Sequence, residues 1–286
     1  INSTSMQLPI IKHRNLWFLL SGIMVAASIF ILFASPPKFG IDFTGGSLME
    51  LEFQIARPVP AEVSDTLAIY GEVLAQTVGD KKMLVRMKTL DEATHQEVLG
   101  ILTDKFSNIN EHRFESIGPT IGGELRSKAI WSISLVLIGI ALYVAYAFRK
   151  VSRPVASWKY GLITIIVGLL HDVLLPIAAF ALLGRFALVE INSSFVAAIL
   201  TVLGFSVHDT IVVFDRIREN LLRTGGTFEE ILERSVNETL ARSINTSLTV
   251  LMVLLAIFIF GGETTRYFAL ALTVGIIFGT YSSIFI

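Results

Sequence analysis

Six stretches of this chain are apolar and long enough to cross a bilayer, and they constrain its fold more than any other feature. A transmembrane helix needs about 20 mostly apolar residues. Residues 15–35, 129–148, 160–183, 191–214, 244–260 and 267–286 qualify, the fifth being short. At 53% hydrophobic and 16% charged residues the chain is too apolar for a soluble domain. The first stretch exceeds a cleavable signal peptide, and no A-x-A-like cleavage site follows it. Beginning at Ile1 and stopping within apolar sequence at Ile286, the chain reads as part of a longer polypeptide.

Loop charge predicts the orientation, because cytoplasmic loops carry the excess of Lys and Arg. Lys12 and Arg14 precede the first stretch, and Arg149, Lys150, Arg153 and Lys159 lie between the second and third. Arg216, Arg218, Arg223, Arg234 and Arg242 lie between the fourth and fifth. The opposite side has short loops with Arg185 and Arg266 alone. Both termini are therefore expected in the cytoplasm, and residues 38–124 outside it.

That outward segment is expected to be the one soluble domain, with residues 1–37 before it and a five-helix transmembrane domain over 125–286. Leu48 to Phe53 alternates like a strand, and a helix is predicted after Pro60. Leu74 to Val78 and Met83 to Met87 read as paired strands around a Gly79-Asp80 turn. Thr89 or Asp91 can cap a second helix through Phe106, and a last strand covers about 111–117. The order βαββαβ matches the ferredoxin-like plan. The fold class is thus a six-helix membrane protein with a small α+β ferredoxin-like extracytoplasmic domain between the first and second helices. Between the fourth and fifth stretches a charged cytoplasmic loop over 215–243 is expected to hold a helix along the membrane surface. Thr227 to Glu230 has the pattern of a capping box for it.

Chemistry is sparse, and it lies in the membrane. Asp209 falls near the end of the fourth stretch. A carboxylate at a helix centre costs roughly 2.5–3.5 kcal/mol on insertion scales, so a retained one is usually used to move ions, bind substrate or lock helices. Arg242, at the start of the fifth stretch on the same side, is the natural partner for Asp209. An arginine favours the ionised carboxylate and burial the neutral one, so movement of the arginine could switch protonation. The alternative for Arg242 is a headgroup anchor. His171-Asp172 lies near the midplane in the third stretch, either as a relay towards Asp209 or as a packing hydrogen bond. His208 and the paired serines at 193–194 and 282–283 read as helix contacts.

Other classes are excluded or weak. The net charge of -1 gives no pull towards nucleic acid. With no cysteine there is no disulfide, thiol nucleophile or cysteine-ligated metal. The Gly-Gly pairs lack a P-loop lysine, the histidines lack metal-ligand spacing, and no nucleophile–base set is visible.

The ordered motifs resemble SecF, the smaller subunit of the bacterial SecDF protein-export factor. Ile41-Asp42-Phe43-Thr44-Gly45-Gly46 is similar to that family's opening motif, and Gly118-Pro119 with Gly122 to Leu125 to its entry into the second span. His171-Asp172 matches the third-span pair, and Asp209 to Asn220, including Asp215, Arg216 and Arg218, is very close to the fourth-span signature. The resemblance implies an RND-type half paired with SecD. It also implies proton-motive-force-driven help to the SecYEG channel in exporting unfolded preprotein, in the bacterial cytoplasmic (inner) membrane, with YajC as a further partner. It carries proton conduction over to Asp209 and Arg242. No cofactor is expected beyond the coupling ion, H⁺ or alternatively Na⁺. His208 departs from the family, which more usually has Asn before the aspartate. Rival readings are an RND-type exporter of small molecules or lipids, and a non-conducting translocon scaffold.

Overall fold

Apolar runs become helices here because hydrocarbon offers no partner for a backbone N–H or C=O, and a helix satisfies both internally. The computed structural model describes residues 8–54, 57–148, 159, 163–187 and 189–286. The loop cations Arg149, Lys150 and Arg153 lie outside the described residues, as does the predicted start of the third stretch.

In chain order, a 3₁₀ turn at Ile11–His13 leads into α1 (Arg14–Ala34), followed by the short α2 (Ile41–Thr44) and β1 (Gly46–Phe53). Next come α3 (Pro60–Thr66), β2 (Leu74–Val78), β3 (Lys82–Met87), α4 (Glu92–Phe106) and β4 (Ile109–Ile117). The long helices are α5 (Pro119–Ala147), α6 (Leu170–Phe186, after a π turn at Thr164–Leu169), α7 (Ser193–Arg223), α8 (Phe228–Phe260) and α9 (Glu263–Phe285). Six helices are long and apolar enough to cross a membrane: α1, α5, α6 with its preceding turn, α7, α8 and α9. The protein is a multi-pass membrane protein.

Two corrections to the expected boundaries have physical causes. The sequence predicts a separate charged loop over 215–243. The structure instead runs α7 to Arg223 and starts α8 at Phe228, leaving 224–227 as the connection. Val213 and Ile217 of α7 bury against Val236 of α8, so the charged ends remain helical through an apolar seam that average hydropathy misses. The capping box is real, with the Glu230 N–H bound to Thr227 Oγ1 at 3.3 Å and the Thr227 N–H to Glu230 Oε2 at 2.8 Å, but it opens α8 itself. Likewise α5 begins at Pro119 rather than near 129, with proline at the first helical position where its missing N–H loses nothing.

Contacts divide the chain into two units, Ile1–Lys38 with Trp131–Ile286, and Phe39–Ile130. In the first, α6, α7 and α9 carry the buried faces, whereas α1, α5 and α8 leave most of their apolar windows exposed. Small residues let α9 approach α7. A Cβ on Gly275 would overlap the Val202 methyl groups, and one on Gly279 would come within 3.1 Å of Ser206 Cβ.

The second unit is an antiparallel sheet in the order β2-β3-β1-β4, with α3 and α4 in the connections. Alternation along β3 buries Met83, Val85 and Met87 against Met49, Leu51, Val98 and Leu102. Asp91 caps α4 by accepting the Thr94 N–H at 2.9 Å. In β1 the buried Glu50 forms an ion pair with Lys82 of β3 at 2.7 Å.

Candidate functional site

Asp172 is fully buried in α6 and is held by neighbours from two other spanning helices. Its Oδ2 accepts hydrogen bonds from Ser206 Oγ on α7 and from Ser282 Oγ on α9, the latter at 2.8 Å. His171 Nδ1 donates to Oδ1 at 2.9 Å, which leaves Nε2 without a partner among the described residues. The imidazole lies between Tyr281 and Phe278, with ring centroids 6.1 and 6.4 Å away. It also lines a cavity of about 580 Å³ with Phe18, Ser21 and Gly22 of α1. Tyr281 in turn bonds Ser21 at 3.0 Å and donates to the Trp17 carbonyl at 3.1 Å, which joins α9 to α1.

Asp209 sits on the buried face of α7, only 3% exposed. Its Oδ2 has no hydrogen-bond partner among the described residues. Such a group is costly, because a buried polar atom without a partner loses its hydration uncompensated. Ser243 Oγ on α8 is a second buried polar atom of this kind.

The expected pairing of Asp209 with Arg242 is absent from this structure. Arg242 is exposed and forms no ion pair among the described residues. The cause is helical phase: α8 buries Ser235, Thr239, Ser243 and Ser247, and Arg242 falls one position off that stripe. His208 is likewise exposed, beside the buried Asp209. Neither His171 nor Asp172 forms a hydrogen bond with Asp209.

The remaining motif residues divide by place. Asp215 pairs with Arg218 on the same helix. Arg216 binds Glu219 and, across the hairpin, Glu238 of α8, both at 2.6 Å. Asp42 lies in the first turn of α2. Gly45 and Gly46 follow with φ of +72° and +121°, a conformation that side chains resist. A Cβ on Gly46 would lie 2.8 Å from the Met87 carbonyl, and one on Gly122 would lie 2.9 Å from the Gly45 nitrogen. The glycine motif is thus a close meeting of β1, β3 and the start of α5.

Sequence reasoning missed the serines. Ser282 reads in the sequence as an ordinary helix contact and Ser206 is not singled out there, yet both hold Asp172. Among the described residues, no group of three or more His, Asp or Glu could hold a metal ion.

Known proteins match this arrangement along the chain. The family profile described as protein export membrane protein SecD/SecF, C-terminal, matches residues 97–286, and that of the SecD/SecF GG motif matches residues 30–54. The protein translocase subunit SecF of Thermobaculum terrenum is 43% identical, over 97% of this chain and 91% of its own length. That of Sebaldella termitidis is 37% identical, over 98% of this chain and 90% of its own. The crystal structure of SecDF, a translocon-associated membrane protein from Thermus thermophilus, superposes with a TM-score of 0.85 at 31% identity over the whole of this chain. SecDF in its super-membrane-facing form gives a TM-score of 0.68 at 32% identity. This chain spans 38% of each of those solved chains. With both motifs and nearly the full length of its relatives matched, the chain belongs to the SecD/SecF family of protein-export membrane proteins, as a SecF.

Proposed function

We propose that the chain is a proton-motive-force-coupled accessory subunit of the Sec translocase, acting with SecD to help the SecYEG channel export unfolded preprotein. YajC is a further partner, and membrane lipid surrounds the exposed apolar faces of α1, α5 and α8. The observation that carries the proposal is Asp209, a buried carboxylate in a spanning helix with an unpartnered oxygen. Intramembrane ionisable groups of this kind mark ion pathways. Asp209 is the titrating site in this reading, with H⁺ as the coupling ion and Na⁺ the alternative. Arg242 is its charge partner in a second conformation, reached by rotation or sliding of α8. The role is non-enzymatic.

Arg-rich ends of α7 and α8 support a cytoplasmic location for that hairpin and for both termini, in the bacterial inner membrane. The βαββαβ order and the β2-β3-β1-β4 sheet support a ferredoxin-like assignment for the smaller unit, lying outside the membrane. One charge crossing the membrane yields about 2.3 kcal/mol per 100 mV. Moving a two-state element from 1:99 to 99:1 takes about 5.5 kcal/mol, so a full stroke uses several protons or a pH gradient as well.

For His171-Asp172 the observed hydrogen bonds favour packing over a relay. Both Asp172 oxygens already have partners, as a lock between helices requires.

The test is pulse-chase export of a secreted precursor in cells depleted of native SecDF. The cells are rescued with wild-type or Asp209→Asn protein at equal membrane level. Accumulated precursor despite normal assembly with SecD supports the proton-coupled reading. Wild-type export rates would put the non-conducting scaffold in its place.

A further inference from the structure

Ser235, Thr239, Ser243 and Ser247 form a hydroxyl stripe on the buried face of α8. At a rise of 1.5 Å per residue, neighbours along it are about 6 Å apart. Three of the four are engaged. Ser235 Oγ donates to the Ile231 carbonyl at 2.7 Å and accepts from Asn220 Nδ2 at 3.0 Å. Thr239 Oγ1 donates to the Ser235 carbonyl at 3.1 Å, and Ser247 shares a 2.6 Å bond with Thr280 of α9. Ser243 Oγ alone has no partner among the described residues.

Asp209 is placed to meet this stripe. The bonds Asn220–Ser235 and Arg216–Glu238 fix the antiparallel register of the α7–α8 hairpin. Asp209 lies about three turns before Asn220 on the same face of α7, alongside the Ser243–Ser247 section of α8. Beside it, Val213, Ile217 and Val236 pack together in one buried apolar cluster. At the far end Asn220 also donates to Glu238 Oε2 at 2.8 Å, and Glu238 is one-third exposed. The other charged groups nearby are turned away or engaged: His208 and Arg242 are exposed, and Asp172 is held by its own partners.

We propose that the stripe is the route by which a proton moves between Asp209 and the Glu238 end of the hairpin. This rests on the proton-coupled reading given above and adds Ser243, Thr239, Ser235 and Glu238 to the path. A hydroxyl has one donor and two acceptor positions, so it can take a proton on one side and release its own on the other. The proton leaves Asp209 Oδ2, each oxygen in turn accepts one and gives one up, and Glu238 releases one to solvent. Asp209 ends as the carboxylate and every hydroxyl is restored. The spacing between hydroxyls requires a bridging water at each step, and the hydroxyls, Asp209 and the backbone carbonyls supply the two to four polar partners each needs. Asn220 is a positioning residue that holds Ser235 and Glu238 side by side.

The test uses the chain purified with SecD and reconstituted in proteoliposomes, with a pH-sensitive dye inside and an imposed membrane potential. Ser243→Ala and Thr239→Val remove a hydroxyl with little change of shape, and Ser243→Thr keeps it. The expected result is a flux lower by about threefold to tenfold in each hydroxyl-less variant, with Ser243→Thr near wild type. Thr239→Val carries the test if Ser243→Ala does not assemble. Wild-type flux in both, with Asp209→Asn blocked, overturns the route and leaves the proton reading standing. Wild-type flux in Asp209→Asn removes that reading and the route with it.

Discussion

Ser282 of α9 donates a 2.8 Å hydrogen bond to Asp172 of α6, and Ser206 of α7 reaches the same carboxylate oxygen. One buried group therefore ties three spanning helices together. Interhelical hydrogen bonds within membranes average about 0.6 kcal/mol and reach about 1.7, so Ser282→Ala is expected to cost about 1 kcal/mol. Asp172→Ala strands three buried donors at once and is expected to cost about 3 kcal/mol or more. Asp172→Asn, which keeps one acceptor oxygen, falls between. Thermal unfolding in nanodiscs should reproduce that order. Equal midpoints for Ser282→Ala and Asp172→Ala would remove the tie.

Glu233 of α8 performs a second fastening. Its carboxylate accepts the N–H groups of Ile10 and Ile11 at 2.5 and 3.1 Å and that of Lys12 at 3.1 Å. It thereby satisfies donors that the start of a helix leaves free, in a place the helix dipole favours. Asn237 adds a reciprocal pair with Leu8, at 2.8 and 3.0 Å. Glu233→Ala is expected to cost about 1–2 kcal/mol, the worth of a good N-cap, and to speed hydrogen exchange at Ile10, Ile11 and Lys12. Unchanged exchange at those three amides would show that Ile10, packed on Val213 and Ile217, holds the segment unaided.

At the glycine motif, Gly46→Ala meets both a φ of +121° and the Met87 carbonyl at 2.8 Å. Strained backbone of this kind costs roughly 1–3 kcal/mol before any clash is counted. Gly79 is the control, because its φ of +56° suits asparagine and a Cβ there meets nothing within 4 Å. Gly46→Ala should lower the melting temperature of the purified protein by several degrees, while Gly79→Asn leaves it nearly unchanged. Similar melting of the two variants would mean that the motif is kept for something other than packing.

Hydropathy alone revealed the six spanning helices, because each carries an apolar run that nothing in water would tolerate. It failed where helices leave the apolar layer. The charged ends of α7 and α8 stay helical through a narrow seam of Val213, Ile217 and Val236, which a window average dilutes among arginines and glutamates. Strand edges were legible at Leu74–Val78, where a Gly79-Asp80 turn punctuates the pattern. Partnerships between distant residues were not. Nothing near Asp172 in sequence announces Ser206 or Ser282, since tertiary packing alone brings α7 and α9 to it. The outward turn of Arg242 was hidden for a related reason, because the phase of α8 is set by which residues face α7.

Acid should loosen α4 from its N-terminus. Hydrogen bonds from Thr94, first its hydroxyl and then its N–H, hold the Asp91 carboxyl below the usual carboxylate range. A group with a depressed folded pKa contributes stability above its unfolded value, and loses it as pH falls through the folded one. Protection of the Thr94 amide should therefore decline below about pH 4 in the wild type. Asp91→Asn keeps an acceptor that does not titrate, and its protection should stay nearly flat over that range. An equal decline in both proteins would trace the acid response to another group.

The approach of α9 to α7 offers a paired test of packing. A Cβ on Gly275 would overlap Cγ2 of Val202 and lie 2.8 Å from its Cγ1. Val202 is only 1% exposed, so it has little room to withdraw. Gly275→Ala alone is expected to cost about 1–3 kcal/mol through overpacking. Val202→Ala alone removes two buried methyl groups and leaves a void, at about 1–2 kcal/mol. Together the changes exchange volume across one contact, because the new methyl on α9 fills space vacated on α7. The double variant is therefore expected to be more stable than the sum of the single costs predicts, by about 1 kcal/mol or more in a double-mutant cycle. Additive costs would mean that the helices separate to admit the extra methyl. The Gly275–Val202 contact would then not set their distance, and Gly279 against Ser206 would be the next place to look.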